Sequence, residues 1–158
     1  MVNPGASLLV SWKRLHGLPG GGWLFSRVVS RLVPYTGSIS PRVRTLEPGH
    51  AVVTLRDHRA IRNHLRSIHA VALINLGEFA SGLAMLTSLP TGQRGIVTAL
   101  SADYTKKARG DLVAEATVPP GEVVAAAVDR DAEARIRDAA GDVVAVIHAR
   151  WRISPASA

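Results

Sequence analysis

The sequence contains no cysteine among its 158 residues and has few aromatic side chains. The lack of cysteine excludes a disulfide framework, a cysteine nucleophile and thiolate metal sites. Aromatic residues make up only 4% of the chain, whereas hydrophobic residues as a group make up 47%. We therefore expect a core built mainly from valine, leucine, isoleucine and alanine, and the length suits one domain.

Neither a targeting segment nor a membrane span stands out in the sequence. The apolar run at residues 8–10 is followed closely by Ser11 and Lys13, unlike the uninterrupted apolar region of a signal peptide. The longest weakly charged stretch, residues 69–90, contains Glu78, whereas a span needs ~20 predominantly apolar residues. We interpret it as a buried core helix and expect a cytoplasmic protein without stable membrane insertion.

Acidic residues are scarce in the first half of the chain. Residues 1–70 contain ten lysines and arginines against two acids, whereas residues 71–158 contain nine against ten. This imbalance favours an anionic partner, such as nucleic acid, a membrane surface or a phosphorylated small molecule, or else reflects only a solvated arginine-rich surface. Because no nucleic-acid recognition motif accompanies the basic residues, we do not expect a nucleic-acid partner.

Hydrophobic periodicity divides the chain into an N-terminal helical extension, residues 1–34, and a second segment, residues 35–158. The extension contains two helical pieces that are separated by a Pro-Gly-rich break, and this pair either covers the rest of the domain or lies on a membrane. The second segment predicts two strands, a long helix and four more strands, at about 39–45, 51–55, 68–89, 94–107, 112–118, 132–137 and 143–153. This order predicts an α+β fold in which an antiparallel sheet wraps around the long helix.

The predicted long helix is apolar nearly all round, yet it carries Glu78 in its middle. A buried carboxylate is unfavourable without partners, and burial raises its pKa. Glu78 is therefore either a general base or nucleophile, or a structural residue that an arginine neutralises. Four small residues are expected to let other backbones approach this helix closely: Gly77, Ala80, Gly82 and Ala84.

The N-terminus of this helix offers a second group of candidate site atoms. Its first N–H groups lack intrahelical partners and can hold a carbonyl oxygen that becomes an oxyanion, and Asn63 upstream can add a donor. Ala70 and Glu78 are separated by about 12 Å along a helix that rises ~1.5 Å per residue. If both serve one reaction, they come from different subunits, as an antiparallel two-fold dimer would allow.

The spacing of Asn63, His69 and Glu78 resembles that of hotdog-fold thioesterases of the phenylacetyl-CoA thioesterase type. Those enzymes have an Asn, then His-Gly-Gly, then an Asp or Glu on the following helix. Residues 104–110 resemble the family's Tyr-x-(Lys/Arg)-Pro-Ala-x-Gly segment, and residues 138–145 resemble its penultimate hairpin. The chain looks most similar to a bacterial subfamily with an N-terminal helical extension.

This resemblance implies a hotdog fold, a homodimer or homotetramer, and hydrolysis of an acyl-CoA or acyl-carrier thioester with no separate cofactor. It implies that Glu78 activates water or attacks the carbonyl. It also implies that the N–H of Ala70, with that of Val71, polarises the carbonyl across the dimer. Asn63 would orient substrate or water, and His69 would fix the loop.

Two departures from the family pattern concern the coenzyme end of the site. Residues 69–71 read His-Ala-Val in place of His-Gly-Gly, so Val71 would crowd this end, and Lys107 replaces a proline. Lys106, Lys107 and Arg109 either hold the phosphates of coenzyme A or are solvated charges. No metal-ligand spacing is present, so we expect no metal. A catalytically silent module that binds acyl-CoA or fatty acyl groups is the alternative to a thioesterase.

Overall fold

A six-stranded antiparallel sheet and one long helix dominate the computed structural model, which describes residues 4–156. Besides a short 3-10 turn at Arg59–Ile61, the elements in chain order are α1 Pro4–Leu15, α2 Gly21–Leu32, α3 Pro34–Gly37, β1 Arg42–Glu47, β2 His50–Leu55, α4 Ala70–Ser88, β3 Gln93–Tyr104, β4 Leu112–Thr117, β5 Val128–Arg137 and β6 Val143–Pro155.

The strands lie in the order β1-β2-β4-β5-β6-β3, and every neighbouring pair is antiparallel. Residues of β4 alternate strictly between buried and exposed, as expected for a sheet with one face on the core. Helix α4 packs against all six strands. The predicted α+β architecture, a sheet wrapped around a long central helix, is therefore confirmed.

Helix α4 is apolar all round because protein surrounds it. Its mean hydropathy of 1.5 over a stretch of 18 residues would suit a membrane span by length and composition, but 72% of that stretch is buried inside the protein. The sheet covers one side of α4, and α1 and α3 pack against it from elsewhere. A helix enclosed in this way needs no polar face.

Gly77 and Gly82 on α4 admit side chains of β6 rather than backbones, which corrects the expectation from the sequence for these two residues. A methyl group at Gly77 would overlap the side chain of Ile147, and a Cβ at Gly82 would lie 3.2 Å from the ring of Trp151. Both β6 residues point inward in the alternating pattern of that strand. The glycines therefore let large β6 side chains rest directly on the helix.

The N-terminal helices cover α4 and contribute to the same core. The backbone of α1 approaches that of α4 closely, because a Cβ at Gly5 of α1 would overlap the carbonyl oxygen of Leu86. Trp12 and Phe25 meet edge to face with ring centroids 5.2 Å apart. Both belong, with Val29, to the hydrophobic cluster that includes the sheet. Of the two arrangements considered for these helices, the structure has the covering one.

The strand predicted from Ile39 begins only at Arg42. Pro34 starts the short helix α3, a position where its missing N–H is harmless. The backbone then turns, since the N–H of Ile39 donates to Thr36 O and Ser40 adopts a positive φ of 55°. A left-handed residue interrupts an extended segment, so the alternating pattern at 39–41 does not form a strand.

Gly77→Ala is expected to lower the free energy of unfolding by about 1–3 kcal/mol, because the added methyl group overpacks against Ile147. Gly17→Ala is the matched control, since nothing lies within 4 Å of a Cβ there. Urea denaturation followed by circular dichroism measures both. Equal stability of the two variants would contradict the close packing of β6 on α4.

Candidate functional site

Glu78 lies against an apolar cavity of about 480 Å³ between α1, α2 and α4. It is the one charged residue among the side chains that line this space. The others are mainly aliphatic or aromatic, and they include Leu8, Leu15, Val29, Leu83 and Leu86. We call this space the α1–α2 cavity.

Burial raises the pKa of the Glu78 carboxyl above its ordinary value of 4.5. The cause is desolvation, since the side chain is only partly exposed and apolar groups surround it. Within residues 4–156, no arginine or other group forms an ion pair or hydrogen bond with this carboxylate. The alternative of a structural glutamate neutralised by an arginine therefore has no support in the described part of the chain.

Trp151 is a second polar group at the same place, and the sequence patterns did not single it out. It lines the α1–α2 cavity, is 5% exposed, and its ring packs over Gly82, one turn from Glu78. Its indole Nε1 is buried and has no hydrogen-bond partner among the described residues. Leaving a buried donor unpaired costs about 1–3 kcal/mol. In the sequence, Gly82 in the middle of the long helix was the sign that a large side chain could pack at this position.

The N-terminus of α4 is capped by the side chain of the residue before it. His69 Nδ1 accepts a hydrogen bond of 3.2 Å from the Val71 N–H, and the N–H groups of Ala72 and Leu73 donate to His69 O. This capping bond occupies the Val71 N–H, and a role for that N–H in polarising a carbonyl stays a prediction. Within residues 4–156, the Ala70 N–H is the one at this terminus that has no acceptor.

Asn63 organises the loop that leads into α4. Its Oδ1 accepts hydrogen bonds from the N–H of Leu65 at 2.9 Å and from the N–H and Oγ of Ser67, both at 3.2 Å. The loop closes further where the N–H of Asn63 donates to Ser67 O. A role for Asn63 in orienting substrate or water stays a prediction.

The segment that follows β3 is fastened to this loop and to the helix terminus. Tyr104 OH donates to Ala70 O at 3.2 Å, and the Ile68 N–H donates to Ala108 O at 2.9 Å. Asp57 joins the two segments, since it accepts from Arg62 Nε at 2.8 Å and from the Gly110 N–H at 3.0 Å. The hydrogen bond from Arg62 holds the pKa of the Asp57 carboxyl below its usual value.

The three predicted phosphate-binding cations differ in their surroundings. Lys106 Nζ lies 2.7 Å from both Asp138 and Asp142, so the β5–β6 turn already neutralises it. Lys107 and Arg109 are exposed and flank Ala108, close to the α4 N-terminus. The prediction of phosphate binding therefore applies mainly to Lys107 and Arg109. Among residues 4–156, no three His, Asp or Glu side chains cluster as metal ligands.

The predicted site residues thus fall into two groups at different levels of one helix. Asn63, His69, Ala70 and Val71 meet at its N-terminus, whereas Glu78 lies about 12 Å further along. One long helix wrapped by an antiparallel sheet is the hotdog fold. The predicted fold is confirmed by its similarity to solved structures.

The chain belongs to the family described as a domain of unknown function, DUF4442, which it matches over residues 21–153. The match includes α2 as well as the sheet and α4. None of the curated proteins matches the chain.

Solved structures similar to this chain include several described as thioesterases. A probable thioesterase from Pseudomonas aeruginosa is 23% identical, with a TM-score of 0.73 over 88% of this chain and 97% of that one. The PaaI protein of the Escherichia coli phenylacetic acid degradation operon is 17% identical, with a TM-score of 0.67 over 86% and 94%. A structural-genomics target is 26% identical, with a TM-score of 0.79 over 96% and 99%.

Glu78→Gln is expected to increase the free energy of unfolding at neutral pH. The raised pKa means that the folded state binds more protons than the unfolded state between the two pKa values. The stability of the unsubstituted protein therefore falls as pH rises through that interval, and the glutamine variant escapes this loss. Denaturant titrations at neutral pH and near pH 4.5 measure the difference, which should shrink at the lower pH.

Glu122→Gln is the control, because Glu122 is exposed and removing its charge should change stability little at either pH. A Glu78→Gln protein no more stable than the unsubstituted protein at neutral pH would show that Glu78 is well solvated or paired.

Proposed function

We propose that this protein hydrolyses an acyl-CoA thioester, with Glu78 as the general base. The observation that carries the proposal is the unpaired Glu78 carboxylate, of raised pKa, at an apolar cavity of about 480 Å³. Raising the pKa of a carboxylate towards the working pH improves it as a base. The thioesterase descriptions of several similar structures support the same reaction class.

The reaction is balanced by one water molecule. Glu78 accepts a proton as the water oxygen attacks the thioester carbon, and the carbonyl oxygen becomes an oxyanion. When the carbonyl re-forms, the carbon–sulfur bond breaks and the coenzyme A thiolate takes the proton from Glu78. The products are the carboxylic acid and free coenzyme A, and no cofactor is consumed.

The oxyanion donor we propose is the N–H of the partner's Ala70. Within one subunit, Ala70 and Glu78 are about 12 Å apart, too far for one carbonyl. Strand β3 is a sheet edge and exposes Ile96, Leu100 and Tyr104, and an exposed apolar edge is suited to pairing with a second copy. We therefore propose a homodimer joined through β3, or a homotetramer built from two such pairs.

The coenzyme end would lie at the N-terminus of α4. There Lys107 and Arg109 are exposed cations, and the side chain of Val71 is 48% exposed beside them. Charge-assisted hydrogen bonds from such cations suit the phosphates of coenzyme A or of an acyl carrier protein. Acyl thioesters of this kind fit a cytoplasmic protein.

A catalytically silent acyl-CoA-binding module is the second candidate function. Two observations at the helix N-terminus favour it: the Val71 side chain stands where the resembling enzymes have glycine, and His69 occupies the Val71 N–H. Only one open donor then remains for the oxyanion. Removing one oxyanion donor costs about 10²–10³ in rate in an enzyme that uses two.

Thiol release from a panel of acyl-CoAs is expected to show hydrolysis that Glu78→Gln reduces by about 10²–10⁴ in kcat/KM, because the variant cannot accept the proton. In the unsubstituted protein, kcat/KM should fall at acid pH with a midpoint above 4.5, since Glu78 must be ionised.

Glu122→Gln should hydrolyse the panel like the unsubstituted protein. Binding of acyl-CoA without any thiol release would establish the silent module, and unchanged hydrolysis by Glu78→Gln would exclude Glu78 as the base.

Leu100→Asp is expected to dissociate the assembly and abolish hydrolysis together, because a charge on the β3 edge opposes pairing and removes the partner's Ala70. Sedimentation velocity measures the assembly. Leu18→Asp, at an exposed residue between α1 and α2 and beside β1, the opposite edge of the sheet, should change neither property. A monomeric Leu100→Asp protein with full activity would contradict the shared site.

A further inference from the structure

We propose that the α1–α2 cavity holds the acyl chain of the substrate inside a single subunit and selects saturated chains of about ten carbons. The proposal rests on the proposed thioesterase function and names its substrate class. The N-terminal helices are then a wall of the binding site, in addition to their role in covering the core.

The lining chemistry favours an uncharged aliphatic occupant. Apart from Glu78, the cavity is lined by uncharged side chains, and the hydroxyl groups of Ser7, Ser11 and Thr36 are the main other polar contributions. A charged or strongly polar chain would lose hydration here without gaining partners. The volume of about 480 Å³ lies within the range, about 300–1,000 Å³, of sites that hold small ligands.

The polar groups indicate which end of the chain lies where. Glu78 is the first residue of α4 in the lining, so its carboxylate marks one end of the cavity along this helix, and the ring of Trp151 lies with it against Gly82. At the other end, Pro4 and Leu86 line the cavity, and Gly5 presses against the carbonyl oxygen of Leu86. The thioester therefore lies at Glu78, and the methyl end lies where α1 closes on α4.

The distance between these ends sets the chain length. From Glu78 to Leu86, α4 rises about 12 Å. An extended chain of tetrahedral and planar atoms advances about 1.2 Å per bond, as an extended polypeptide does. About ten carbons then fill the cavity, and longer chains meet the contact between α1 and Leu86.

The test is the dependence of kcat/KM on chain length for saturated acyl-CoAs from butanoyl to hexadecanoyl. In the unsubstituted protein, kcat/KM should rise about fourfold per methylene group and stop rising near decanoyl. Ser7→Phe and Ser11→Phe place rings in the cavity from α1 and should move the optimum to shorter chains. Ala6→Phe adds the same ring on an exposed position of α1 outside the cavity lining, so its profile should match that of the unsubstituted protein.

A variant that enlarges the cavity distinguishes a change in chain-length preference from a loss of activity through misfolding. Leu86→Ala removes side-chain atoms from the far end of the cavity and should move the optimum to longer chains. Opposite shifts from Ser7→Phe and Leu86→Ala would establish the cavity as the acyl site. A profile that none of the cavity variants changes, relative to Ala6→Phe, would overturn the proposal while leaving hydrolysis intact.

Calorimetric titration with decanoyl-CoA and butanoyl-CoA separates failure of this proposal from failure of the thioesterase function. If no acyl-CoA is hydrolysed but decanoyl-CoA binds more tightly than butanoyl-CoA, and Ser7→Phe removes that preference, the cavity proposal holds without the enzyme. Equal binding of the two ligands would overturn it.

Discussion

Desolvation of the Glu78 carboxylate raises the pKa of this carboxyl, and the proposed chemistry of the site follows from it. The sheet covers one side of α4, but the face that carries Glu78 looks towards α1 and α2. Both helices line the cavity beside Glu78, so they contribute to the desolvation that raises the pKa of its carboxyl. The N-terminal helices therefore supply part of the low-polarity surroundings on which the proposed role of Glu78 as a base depends.

This arrangement has a cost in stability that the core offsets. An ionised carboxylate without a partner and the unpaired Nε1 of Trp151 both oppose folding. The continuous hydrophobic cluster of sheet and helices stabilises the fold, as does the close contact of Ile147 with Gly77. Polar groups left unsatisfied beside a cavity are typical of sites that bind a ligand, because the ligand supplies the missing partners.

Periodicity alone predicted the architecture, since α4 and the strands are long and regular enough for their patterns to dominate. It also located Glu78, because a carboxylate is conspicuous in an apolar helix. What it missed depends on contacts between segments distant in sequence. The pairing of Lys106 with Asp138 and Asp142 and the position of Trp151 over the helix are examples. Near Ser40, a local turn and not the alternating hydrophobic pattern determines the backbone. Ser40 adopts a positive φ there, and β1 begins only at Arg42.

If the active site is shared between two subunits as proposed, mixing two inactive variants should restore activity. Glu78→Gln removes the base, and Ala70→Pro removes only the N–H, since proline is tolerated at the first helical position and His69 already has an extended backbone. Each variant alone should be inactive. Unfolded and refolded together in equal amounts, they should recover about a quarter of the unsubstituted rate, because half of random dimers carry one complete site. If dimers that are demonstrably mixed recover no activity, the site is not shared between subunits.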